Sequence, residues 1–584
     1  MNRIALATAS TFALALAASG CSANLCGDME YGNAASPPPG KASPTTATRA
    51  LSEADIIQTD DLGRLYAMSK SGTVAVVDAA DPAHLALLGK TTVSGVPFEM
   101  YRRGDLLVAM SNHAVTAAGT VKEPGESVAS ATPVADERES ALVTVLDAKN
   151  PASMVRLGKL VVPGEIADSR ILGHVLYVAS YRNGTCWSCA RAKVETTVTT
   201  FDLADPTAIA QVDQVSFSSD AVDNESLGWG MAWKRSIVAT PTRLYVGGHA
   251  DFDPRRSSDP SFREGIIDVL DISDPTGHLK VGAHLAVTGP VLSRWQMDET
   301  EGVLRVVSQR GVGRTSNGNG SPAVETFRME STAVATPLGR TDLVLPRQEG
   351  LRTVRFDGAR GYAITFNQTD PLFVLDLTDP AKPVQKGELH MPGWLFHLEP
   401  RGTKLVGLGI DRQDAAGSLN VSLIDVSDMA APRLLAREAF GAHISSDHNI
   451  LDTELPESQD RIQKAFRIFD DGLVAVPLSS TWASGGDCKS PGSGIQLLTL
   501  DGATLQKRAF LQVDGNPRRA FELKSHMVAV SDSNVRAFSL GEGDFGTQRS
   551  DVVIGTCVTP TDAPAPSNLD HGMGGRDYAY GSCE

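Results

Sequence analysis

Apolar residues alternate with polar ones in short runs along almost the whole chain. Such runs occur at 64–69, 106–111, 175–180, 244–248, 303–308, 361–366, 405–409, 473–477 and 527–531. Period-two alternation between Gly- and Asp-rich turns predicts strands, and no long helical periodicity competes with it. After each run comes a second one, which in most units ends on Asp. Clear copies are Val76-Val77-Asp78, Val145-Leu146-Asp147, Thr200-Phe201-Asp202, Val269-Leu270-Asp271 and Val374-Leu375-Asp376. Their Asp is followed three residues on by Asp81-Pro82, Asn150-Pro151, Asp205-Pro206, Asp274-Pro275 or Asp379-Pro380. Leu423-Ile424-Asp425 with Asp428 lacks the Pro, and the copy ending at Asp501 is weaker still. The widest gap between these units, from Asp271 to Asp376, holds a degenerate copy at 324–328. The spacing predicts an all-β chain: a β-propeller of about eight four-stranded blades, within a range of seven to nine, with 535–540 as a strand that closes the ring. A single unit cannot bury both faces of its sheet, whereas a closed ring of units can. Asp at a turn start accepts backbone N–H bonds and Pro sets the next corner, so the recurring acids read as turn chemistry rather than catalytic carboxylates.

The chain has 584 residues, 42% of them hydrophobic and 21% charged, which excludes global disorder. Asp and Glu number 69 against 53 Lys and Arg, a formal net charge of −16. So acidic a chain is excluded from general nucleic-acid binding, which needs a basic surface. At the N-terminus, Arg3 precedes an apolar run over 4–18 that is too short to span a bilayer and reads as a signal peptide. It ends Leu16-Ala17-Ala18-Ser19-Gly20-Cys21, which resembles a bacterial lipobox. That resemblance implies cleavage before Cys21, lipidation of Cys21 and, with Ser22 next, sorting to the outer membrane. The plain alternative is a secretory signal with a chance Cys. The expected organisation is a signal peptide (1–20), a Ser/Thr/Pro-rich tether (21–50), the propeller (51–556) and a Pro/Gly-rich tail (557–584). The other six cysteines, Cys26, Cys186, Cys189, Cys488, Cys557 and Cys583, are disulfide candidates in an oxidising compartment, with pairing left open. Cys186-Trp187-Ser188-Cys189 lacks the His of a haem site and a second pair for zinc, so a local loop disulfide is the reading.

Three stretches resemble a bacterial and archaeal family known as secreted proteins with a beta-propeller domain. They are Ser52-Glu53-Ala54-Asp55-Ile56-Ile57-Gln58-Thr59-Asp60 before 65–69, the segment 354–408, and Lys464-Ala465-Phe466. The last departs from the family pattern in having Gln463 where His is expected. The resemblance covers roughly 50–540 and implies the propeller fold. It brings no established activity.

Candidate chemistry is sparse. His443, Asp447 and His448 form the densest metal-ligand cluster, but five residues apart on a strand means opposite faces, so ligation needs a loop. The segment His249-Ala250-Asp251-Phe252-Asp253 lacks the calcium-loop pattern, and Arg255 and Arg256 follow it. The stretch 316–321 lacks the ending of a phosphate loop, and no Gly-x-Ser-x-Gly elbow occurs. Glu53, Asp55, Asp60 and Asp61 form an acidic N-terminal patch, expected to be exposed acids on a ring-closing strand, with a cation or partner site as the alternative. No cofactor is predicted beyond the His443 cluster as a candidate metal site. The expected function is a lipid-anchored cell-envelope binding or scaffold module for a protein or envelope component, touching membrane only through its lipid. The alternative is a propeller enzyme, a hydrolase, lyase or dehydrogenase, with its site at the central channel.

Overall fold

The computed structural model describes residues 51–116, 119–122, 140–182, 194–206, 208–219, 236–249, 264–310, 320–346, 349–366, 371–411, 413–441, 461–479 and 492–555. They form nine four-stranded antiparallel sheets, each built from four strands in chain order. Blades 1 to 9 cover 57–92, 96–162, 165–219, 236–287, 297–342, 350–389, 394–440, 467–512 and 517–553. The short strand Leu51–Ser52 is added to the first strand of blade 3. Among the described residues the one α-helix is the single turn Ile462–Ala465.

The burial patterns order the strands from axis to rim. In blade 2 the third strand, Ser140–Asp147, is buried at every position but Asp147. In blade 5 the fourth strand, Ala335–Asp342, has no buried position. First strands of successive blades touch around the axis, as blade 6 touches blade 7 through Gly350–Asp357 and Trp394–Arg401. Apolar clusters fill the seams between blades. Tyr66, Val76, Leu107 and Leu146 join blades 1 and 2, and Phe396, Val406, Val474 and Leu498 join blades 7 and 8. Ile57, Val77, Val528 and Val535 join blade 9 to blade 1 in the same way. Nine such clusters, one per neighbouring pair, close the ring.

The repeating acids are turn residues, as expected. Asp78, Asp271, Asp376 and Asp425 each accept the backbone N–H two residues on, at 2.9–3.0 Å. Asp81, Asp274, Asp379 and Asp428 do the same at 2.8–3.1 Å. The fourth strand bulges against the third in all nine blades. In blades 1 and 6, among others, a glycine at that bulge lets the next blade's turn approach. A Cβ on Gly387 would lie 2.4 Å from the Met429 carbonyl oxygen, and one on Gly89 1.8 Å from that of Pro151.

The figure of about eight blades is one short, within the stated range. Blade 9 is complete, but its third strand, Asn534–Ser539, ends on Ser where most others have Asp. Ser539 Oγ accepts from Gly541 N at 3.1 Å and donates to Asp544 at 2.6 Å, so the turn is capped without the motif.

The topology also separates two ends of the ring. Turns between first and second strands, and between third and fourth, lie at one end. Connections between second and third strands, and from blade to blade, lie at the other. The longest of the former are 272–279 and 540–547. The described strands that flank the longer of the latter, such as those ending at Val115 and Leu478 and those starting at Ser140 and Gly494, meet that end.

Candidate functional site in the axial channel

The segment 51–56 runs up the axis before blade 1 begins. Leu51 pairs with Leu172, the last residue of blade 3's first strand, so the chain arrives at the short-turn end. Asp55 then bridges Met100 of blade 2 through two backbone hydrogen bonds of 3.1 and 2.9 Å. At the far terminus, Gly555 N donates to Ser533 O in a turn between second and third strands, so the described chain ends at the opposite end.

This strap is held by basic side chains from across the ring. Arg294, on the approach to blade 5, donates through Nη2 to both Glu53 oxygens at 2.9 and 3.2 Å. Arg170 of blade 3 lies 3.2 Å from the same carboxylate and also pairs with Asp168. Arg519 of blade 9 grips Asp55 with three hydrogen bonds of 2.7–3.2 Å. Both members of that pair are buried, Asp55 at 6% and Arg519 at 3% exposure. Lys464, ahead of blade 8, donates to Ala54 O and to Glu99 Oε1, each at 2.6 Å. An acidic chain thus carries a basic axis, neutralised by Glu53 and Asp55 of its own strap together with Asp168 and Glu99 of the blades.

The ionisations follow from these contacts. Burial opposes the charge on Glu53, but Arg170, Arg294 and Lys464 outweigh it and hold its carboxyl well below the usual range. Asp168 is lowered too, its burial overcome by Arg170 and Arg294. Glu99 goes the other way, because its burial outweighs Lys464 and Arg461 and raises its carboxyl.

Beside the strap runs a stacked row. Trp295 lies under two guanidiniums, Arg355 at 3.8 Å and Arg294 at 4.8 Å from its ring centre. Arg355 Nη2 donates to His397 Nδ1 at 2.8 Å, and Phe466 meets the His397 ring edge-on at 5.4 Å. Burial and then Arg355 depress His397 far below its ordinary value, so the ring is neutral and carries its proton on Nε2. His397 is 1% exposed, and neither its Nε2 nor the buried Trp295 Nε1 has a hydrogen-bond partner among the described residues.

The four acids of the N-terminal patch part company. Glu53 and Asp55 turn inward onto arginines. Asp60 is a buried turn residue, accepting from Arg64 N at 2.8 Å and Tyr66 Oη at 3.0 Å. Burial opposes its charge, but the bonds from Arg64 and Tyr66 keep its carboxyl low, while burial and Asp60 push Tyr66 up to about 12. Only Asp61 is exposed. His443, Asp447 and His448 lie outside the described residues, as do all seven cysteines: Cys21, Cys26, Cys186, Cys189, Cys488, Cys557 and Cys583. No group of three metal-binding side chains occurs among the described residues. No helix among them is long and apolar enough to cross a membrane.

Arg170, Arg294, Arg355, His397 and Arg519 were not singled out from sequence. The signal was a charge or imidazole set inside, or just ahead of, a first strand, and it was masked because those strands carry other polar residues as well. The three stretches that carry the family resemblance meet here: the strap is the first, Arg355 and His397 lie in the second, and Lys464 and Phe466 belong to the third.

A closed ring of nine four-stranded blades with a strap along its axis defines a β-propeller. The family model described as "Beta propeller domain" matches residues 46–540, and the chain belongs to that family. An uncharacterized protein of Archaeoglobus fulgidus is 34% identical over 170 residues, covering 28% of this chain and 25% of the relative. One from Methanocaldococcus jannaschii is 34% identical over 153 residues, covering 25% of this chain and 22% of the relative. The matched portion therefore spans about a quarter of the length of these relatives. Among solved structures, BamB from Moraxella catarrhalis is 12% identical with a TM-score of 0.33, covering 83% of this chain and 94% of that one. Saccharomyces cerevisiae Sqt1 is 9% identical with a TM-score of 0.40, covering 73% and 90%. Likeness at this level adds nothing about function.

Proposed function

We propose that this protein is a lipid-anchored extracytoplasmic propeller that binds a protein or a cell-envelope component and carries out no chemistry of its own. The supporting observation is the segregation of its connections. Every long one leaves the same end of the ring, opposite the end at which residue 51 arrives from the tether. A rigid ring with long connections on one end suits recognition, because loops on a fixed scaffold are where binding functions concentrate. The axial acids support the same reading. Glu53, Asp55, Glu99 and Asp168 are each held by Arg or Lys, which leaves none of them as a free base.

The test is crosslinking in native membranes, followed by purification of the lipidated protein and mass spectrometry. A Cys21→Ala chain serves as control. One stoichiometric partner, depleted in the control, is the expected result. Unchanged membrane association of Cys21→Ala would overturn the anchor, and a partner-free chain that turns over a substrate would overturn the binding role.

A further inference from the structure

We infer that the axial channel is a binding site for an extended acidic peptide, and that residues 51–55 are its built-in occupant. This deepens the binding reading above and rests on it.

The strap behaves as a bound peptide rather than as part of a blade. Its backbone pairing is thin: two residue pairs with blade 3 and one bridge to blade 2. Ala54 packs into the apolar seam between blades 2 and 3, and charge does the rest. Glu53 engages two arginines and Asp55 a third, while Lys464 takes the intervening carbonyl of Ala54. Strand addition for register plus charge-assisted bonds for specificity is a recurring mode of peptide recognition. Withdrawn from the axis, the strap would leave Arg170, Arg294, Lys464 and Arg519 around an open strand edge. The next peptide to fit there must be extended, with carboxylates two residues apart.

Because the strap is covalently joined to blade 1, its effective concentration is on the order of millimolar, so a free peptide competes poorly with it. The test uses the full chain carrying Glu53→Gln and Asp55→Asn, which weakens the strap without removing it. The probe is a fluorescent peptide, Ala-Leu-Ser-Glu-Ala-Asp-Ile-Ile, copied from residues 50–57. The double variant should bind it about tenfold or more tightly than the unsubstituted chain does, with affinity falling as salt rises. A Gln/Asn version of the peptide should bind about tenfold or more weakly. Glu53→Gln alone, which keeps the Asp55 clamp, should fall between. In the unsubstituted chain, saturating peptide should speed hydrogen exchange at 51–56, since displacement exposes those amides. Equal binding of both peptides, displacement by inorganic phosphate at equal ionic strength, or no binding to either folded variant would overturn the proposal. Peptide binding is read with no membrane or native partner present, so its failure leaves the crosslinking result standing, and the reverse holds too.

Discussion

Replacing Asp55 with Ala removes the carboxylate that ties blade 9 to the strap. Three hydrogen bonds of 2.7–3.2 Å are lost, together with the bond from Ile56 N at 2.7 Å. An exposed ion pair of this kind would be worth about 1 kcal/mol or less. Both partners here are buried, and removing one member of a buried pair costs about 3–5 kcal/mol, because the other charge stays behind without its carboxylate. Arg467 adds to the cost. It feels Asp55 and Glu399 as attractions and Arg519 and Arg401 as repulsions, so the substitution removes one attraction and leaves both repulsions. The seam itself should hold, since each fully buried Val, Leu or Phe of the blade 9 to blade 1 cluster contributes about 1.5–3 kcal/mol. Loosening of the strap and of the blade 9 first strand that grips it, with the seam and the ring intact, is therefore expected.

The assay is hydrogen exchange resolved to peptides, because a ring of this size need not unfold in one step. Protection at 51–56 and 517–523 should fall by about 3 kcal/mol or more, while blades 4 to 6 stay unchanged. Asp55→Asn should behave much like Asp55→Ala. Asp55→Leu combined with Arg519→Met should recover much of the loss, since apolar replacement of both partners removes the orphaned charge. Protection within about 0.5 kcal/mol of the parent in both single variants, or strictly additive losses in the double, would refute the argument.

Three further outcomes follow from the same geometry. Burial first, then Asp471 and Asp470, raise Glu522 to about 7. The folded state therefore holds an extra proton between the ordinary carboxyl value and 7, and stability falls as pH rises through that window. Glu522→Gln should be more stable than the parent above pH 7 by about 1 kcal/mol, after discounting for solvent screening, and no more stable near pH 4, as read by urea unfolding. Gly387→Ala drives a Cβ into the Met429 carbonyl, so it should cost about 1–3 kcal/mol and loosen the blade 6 to blade 7 seam in exchange experiments. His397 is held neutral, so nitrogen NMR should show Nε2 protonated and Nδ1 bare at pH 6. Its depressed value makes the folded state bind fewer protons than the unfolded one, so its contribution to stability is lost as pH falls below the ordinary imidazole range.

The ring and the axis differ in how far they can be read from the chain. Blades are local: each is four consecutive strands, and Asp78 or Asp376 caps a turn only two residues away. Period-two runs and a turn motif therefore betray them one by one. The ninth blade escaped the motif because Ser539 accepts the same N–H two residues on that Asp accepts elsewhere, and adds a bond to Asp544. Nothing local explains the glycines of several fourth strands, such as Gly89 and Gly387, because their reason lies in the next blade's turn. Axial contacts are of another kind. Asp55 and Arg519 are 464 residues apart, and Lys464 reaches Ala54 across 410. No local pattern couples such positions; they meet because nine seams close. What could be seen was the density of charge in first strands taken alone, as around Arg170, Arg355 and Arg519, which does not by itself say which of the charges is buried. In a propeller a buried charge in a first strand has a general meaning. First strands alone reach the axis, so a charge buried there needs a partner from another blade or from a segment laid along the axis. The acids of the opening segment and the arginines of distant blades are two halves of one buried network, and neither half accounts for the other until the ring is shut.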